Sequence, residues 1–178
     1  MILDHFGYIK TEPLSGDIRT DIKNLLFING KCNTFIHASN VAERNALIAK
    51  AYNLDHDKCV IAGLLHDISA IIKPEDMLKY ACENHLDICE AERKYPSKCE
   101  MALFIADKLA WDKSGIPPFY EEVNAALDIS LEAACYKYMK YMVDNDMILC
   151  PHDNWIEAYE QLKMGEADFS QSQSGGYL

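Results

Sequence analysis

The chain has 178 residues, 49% of them apolar, which is enough for one globular domain with a sizeable core. Its formal net charge of −11 excludes a general binder of nucleic acid or anionic membrane, since such a protein carries a basic face. No apolar run has membrane-spanning length, and the start Met1-Ile2-Leu3-Asp4-His5 turns polar at once, so a cytoplasmic chain without membrane contact is expected.

Residues 1–16, with Pro13 and Gly16, read as an N-terminal arm. Asp17 can cap a helix whose apolar stripe is Ile18, Ile22, Leu25 and Leu26, and Asn29-Gly30 can end it. A second helix is predicted from about Thr34 to Tyr52, with His37 in its first turn. A third starts near Asp57, and His56 belongs to its opening turn. It contains Cys59-Val60-Ile61-Ala62-Gly63-Leu64-Leu65-His66-Asp67-Ile68, apolar on every turn, so burial on nearly all sides is expected.

Lys73-Pro74-Glu75 restarts a helix, with Pro in its first turn, and a short helix is expected over 87–94. Ser97 and Glu100 form a capping box at the start of a helix carrying Asp107, which should stop by Gly115. Ile116-Pro117-Pro118 forces an extended link. One long amphipathic helix should follow, with Leu131, Cys135, Tyr138 and Met142 on one face, and a last helix over about Asn154 to Lys163. No strand signal remains, so the fold class is all-α: a single domain over 17–164 with a flexible polar tail at 165–178.

Seven cysteines read as free thiols, with Cys59, Cys99 and Cys135 packing in the core. Cys82, His85 and Cys89 have ligand-like spacing but no fourth ligand nearby, so packing is favoured over zinc. His5, His56 and His152 stand in polar or turn-like surroundings, as surface or capping residues.

Three places set a metal-capable side chain on an apolar helical face. His37 shares a stripe with Val41 and Ile48, the His66-Asp67 pair closes the apolar run, and Asp107 lies between Phe104 and Trp111. A buried imidazole or carboxylate is costly unless it is paired or coordinates a metal. One divalent cation held by His37, His66, Asp67 and Asp107 removes all these penalties together. Imidazole and carboxylate ligands suit iron, manganese or zinc rather than calcium.

The order H, HD, D on separate helices resembles the HD-domain superfamily of metal-dependent phosphohydrolases. The phrases Ala62-Gly63-Leu64-Leu65-His66-Asp67-Ile68-Ser69, Phe104-Ile105-Ala106-Asp107-Lys108 and Glu157-Ala158-Tyr159-Glu160-Gln161-Leu162-Lys163 resemble its YqeK-type branch, the symmetrical bis(5'-nucleosyl)-tetraphosphatases. The resemblance spans about Asp17 to Lys163 and implies a compact HD-domain helical bundle. Its implied reaction is hydrolysis of diadenosine tetraphosphate to two ADP, with iron, mono- or di-nuclear, as cofactor. Asp67 would hold the metal and orient water. Lys108 would contact phosphate, ahead of Lys73 and Lys113, and Trp111 would stack a base or pack in the core.

The chain departs from that branch in one respect. Members carry two further histidines between the HD pair and the later Asp, whereas here only His85 intervenes, in a context matching neither. A segment near Tyr95 to Lys98 is therefore read as absent from this chain, which leaves the site open or mobile there, and a reduced one-metal site is the other reading. The implied partner is a dinucleoside polyphosphate or another nucleotide, and a homodimer is compatible with this picture. Two rivals share the ligands: another HD-type enzyme, such as a nucleotide phosphomonoesterase or cyclic-nucleotide enzyme, and a non-catalytic sensor or scaffold stapled by its metal.

Overall fold

Asp17 accepts a hydrogen bond from Thr20 N–H and opens α1 (Ile18–Ile28), the first helix in a computed structural model that describes residues 6–83, 96–111 and 115–174. Among the described residues there are eight α-helices, one short 3-10 helix and no strand, so the fold is all-α. The chain divides into two compact units, 1–93 and 94–178, each taken by itself below. The division is one of local packing and leaves the single-domain expectation where it stood.

In the first unit α1 ends as expected at Asn29-Gly30. Gly30 takes φ +73°, Gly30 N–H donates to the Phe27 carbonyl and Lys31 N–H to the Leu26 carbonyl, which satisfies the carbonyls of the last turn. α2 (Cys32–Ala51) therefore begins two residues before Thr34, and His37 falls in its second turn. Asp55 caps α3 (His56–Leu65) by accepting from Lys58 N–H. The helix stops at Leu65, His66 is its C-cap, and Asp67 leads into a 3-10 turn at Ile68–Ile71. α4 (Pro74–Glu83) follows with Pro first. Ile22, Leu26, Ala42, Leu64 and Ile71 form the core that joins α1, α2, α3 and the 3-10 turn.

The apolar run of α3 is not buried on nearly all sides. Cys59, Gly63 and Leu64 are buried, but Ile61 is 37% and Leu65 36% exposed. Ten residues packed mainly on α2 and α1 cover one face only.

In the second unit Ser97 and Glu100 form the expected capping box of α5 (Lys98–Leu109). The single long amphipathic helix is in fact two, α6 (Tyr120–Leu127) and α7 (Leu131–Asp144). Ser130 breaks the pattern: its backbone is extended and its Oγ accepts from Ala133 N–H, so it caps α7 instead of continuing α6. α7 packs on α5, α6 and α8 (Asp153–Ser174) through Leu131, Ala134, Cys135, Tyr136 and Met139. Tyr136, Tyr159 and Trp155 stack in sequence between α7 and α8. His152 accepts from Asn154 N–H at the start of α8, a capping role. α8 runs through Gly165 to Ser174, where the sequence placed a flexible tail, because one glycine weakens a helix by only about 1 kcal/mol and no proline follows.

Cys59 and Cys135 are buried as expected, but Cys99, in the first turn of α5, is exposed. The predicted helix over 87–94, His85 and Cys89 lie outside the described residues, as do His5 and Lys113.

Candidate metal centre

α2 and α3 approach each other closely, and the approach depends on Gly63. A Cβ at that position would stand 2.5 Å from Ala42 Cα and 2.8 Å from Ala42 N, so only glycine lets the two backbones meet. Asn45, fully buried one turn beyond Ala42, locks the same pair by donating from Nδ2 to the Cys59 carbonyl at 2.7 Å. His37 stands five residues before Ala42 and His66 three after Gly63, so the crossing brings their rings together, centroids 5.3 Å apart and edge to face.

The same glycine sets the chemistry of His66. Its carbonyl lies 2.9 Å from His66 Nδ1. A carbonyl only accepts, so Nδ1 carries the proton, and Nε2 of the neutral ring is left with its lone pair as the ligand atom. That Nε2 lies 3.2 Å from Asp67 Oδ2. One ligand atom from each of His37, His66 and Asp67 falls within 4.8 Å of the others. Ligands about 2.0–2.2 Å from a common ion are separated by at most about 4.4 Å, so a shift of a few tenths of an ångström gathers the three on a single cation of the zinc or iron size class. His66 is mostly shielded and Asp67 half-exposed, which seats the trio at the surface end of the α2–α3 pair, within reach of solvent.

Sequence reasoning named these three residues. It missed Gly63 and Asn45, although a lone glycine inside an apolar helix is itself a sign of close backbone approach. Asp107 lies on α5 in the second unit, with Lys108 Nζ 2.5 Å from its Oδ2. Lys108 also stands 5.7 Å from the Phe104 ring centroid and 5.8 Å from that of Tyr138, and burial raises the pKa of the Tyr138 hydroxyl while the nearby Lys108 charge lowers it. Trp111 meets Phe119 edge to face at 6.2 Å. Lys73 lies over the Tyr8 ring at 4.5 Å, in the first unit.

Residues 34–95 match the HD domain family. The match starts just before His37, ends beyond Asp67 and so takes in all three clustered residues. HD domains bind divalent metals, in keeping with the donor set. The chain is also similar to an uncharacterized protein in the pepC 5' region of Lactococcus lactis subsp. cremoris, 22% identical over 158 residues, covering 68% of this chain and 77% of the relative. Because 68% of 178 residues is well short of 158, the relative holds positions inside the match that this chain lacks. No solved structure matches. No helix among the described residues is long and apolar enough to cross a membrane.

Proposed function

We propose that this chain is a metal-dependent phosphohydrolase that cleaves diadenosine tetraphosphate symmetrically into two ADP. The observation that carries the reading is the convergence of His37, His66 and Asp67, with the His66 tautomer fixed by the Gly63 carbonyl. These residues would hold one divalent cation, iron by the family resemblance and otherwise manganese or zinc. A bound cation supplies an acidified water near neutral pH and draws charge from phosphoryl oxygens.

The protein's own groups do the rest. Asp67, half-exposed, would orient the attacking water through its carboxylate. Gly63 and Asn45 hold the two imidazoles in place, so little reorganisation is needed when phosphate arrives. Lys108 exchanges its pairing with Asp107 for a phosphate oxygen, and the phenyl and phenol rings beside it keep its ammonium partly desolvated, which strengthens that contact. Trp111, 39% exposed, offers an aromatic face for a base. Positions present in the relative and lacking here support an absent internal segment, and with it a single cation.

The test is a substrate panel under reducing conditions with iron and with manganese, read by chromatography. Diadenosine tetraphosphate should give ADP as the only nucleotide product. AMP with ATP, or turnover of monoesters or cyclic nucleotides instead, would contradict the assignment. Lys108→Met should raise KM roughly tenfold or more with metal content unchanged, in line with loss of a charge-assisted contact worth about 1.5–3 kcal/mol.

A further inference from the structure

A cavity of about 540 Å³, within the size range of small-molecule sites, lies between α1 and the arm segment Thr11–Gly16. Its apolar wall is Leu14, Ile18, Ile22, Leu25, Leu65 and Ile68. The last two bracket His66 and Asp67, and since successive Cα atoms are about 3.8 Å apart, these two wall residues lie within about 8 Å of both along the backbone.

The arm is tied down on both sides of this stretch. Lys10 N–H donates to Asn29 Oδ1 at 3.0 Å and Asn29 Nδ2 donates back to the Lys10 carbonyl at 2.9 Å. Further along, the Asp21 carboxylate accepts from Ser15 N–H and Ser15 Oγ, both at 2.7 Å, and from Gly16 N–H at 3.3 Å. These ties hold the arm beside the hollow without letting it collapse inward, and Leu14 is left 83% exposed on the rim. A leucine held open beside an apolar hollow gains burial only when a ligand fills the space. Asp21 and Asn24 add an acceptor and an amide to the same wall. Flat, apolar and hydrogen-bonding at its edge is the description of a nucleobase. Phosphates do not suit this wall, because they would lose hydration against apolar groups and meet the charges of Glu12 and Asp21.

We infer that this arm-walled cavity binds a nucleobase of the nucleotide whose phosphates are handled at His37, His66 and Asp67. The inference rests on the phosphohydrolase reading and adds to it the residues that recognise the base. The test uses nucleosides, which carry no phosphate and need no metal. Adenosine and guanosine, titrated separately into the full chain, should shift the amide resonances of Leu14, Ile18, Leu25 and Ile68. Ile18→Trp, at a partly exposed position on the wall, should fill the space and weaken nucleoside binding at least tenfold, while bound metal per chain stays as in the unsubstituted protein. Leu14→Asp, on the exposed rim, should have the same effect and guards against a folding defect in the first variant. If neither nucleoside moves these resonances, or if both variants bind nucleoside as the parent does, the base site is wrong even where nucleotides are hydrolysed. If nucleosides bind here and no phosphate ester is cleaved, the base site stands and the hydrolase reading falls.

Discussion

His66 shows how one residue's chemistry is decided by a neighbour three positions away. The Gly63 carbonyl accepts a hydrogen bond from Nδ1–H, and what remains at Nε2 is a lone pair beside Asp67 Oδ2 and the ring of His37. The opposite case is Cys135, where burial pushes the thiol pKa up to about 12 and removes its nucleophilicity. Thiol labelling at pH 8 should therefore modify Cys32, Cys99 and Cys150 rapidly, whereas Cys59 and Cys135 should react only after denaturation. Mass mapping of the labelled peptides checks this, and early labelling of Cys135 would contradict it.

At the scale of elements, the α2–α3 crossing and the arm clasp carry the most specific expectations. Gly63→Ala places a methyl against the Ala42 backbone, so it should cost on the order of 1–3 kcal/mol in urea unfolding and weaken metal binding by displacing the Gly63 carbonyl. Ala42→Gly should not rescue it, because the two nearest atoms are Ala42 Cα and N. The arm clasp is acid-labile. Hydrogen bonds from Ser15, first its side chain and then its backbone, hold the Asp21 pKa below the usual 3.8. A lowered folded pKa means that its contribution is complete above that value and is lost as pH falls through the folded one. Amide exchange at Ser15 and Gly16 should accordingly rise below about pH 4 with the α2–α3 core still protected, as read by hydrogen exchange. Much of this layer was legible in advance. Asp17, Asn29-Gly30 and the Ser97–Glu100 box announce helix ends through local hydrogen bonds that short sequence spans encode. What was not legible is non-local: the exposed side of α3 depends on which helices pack against it, and the Ser130 break lacks the acidic partner that made Ser97 conspicuous. His37, His66 and Asp67 stood out because polar groups on apolar faces are anomalous in the sequence itself, while the arm cavity became visible only once Leu65 was seen beside α1 and the arm.

For the whole molecule, the net charge of −11 means that a polyphosphate meets a repulsive field until a cation binds. Metal is thus expected to govern substrate affinity as well as chemistry, and chelation should lower Tm because ligand atoms gathered for a cation are left facing one another. A scaffold stapled by metal would share that loss of Tm, but added diadenosine tetraphosphate would not raise the Tm of its metal-loaded form. The central claim is that His37, His66 and Asp67 hold one divalent cation, and it is tested most directly by elemental analysis of the purified full chain beside folded His66→Ala and Asp67→Ala variants. The account predicts about one iron, manganese or zinc per chain in the parent and almost none in either variant; metal retained by both variants would contradict it.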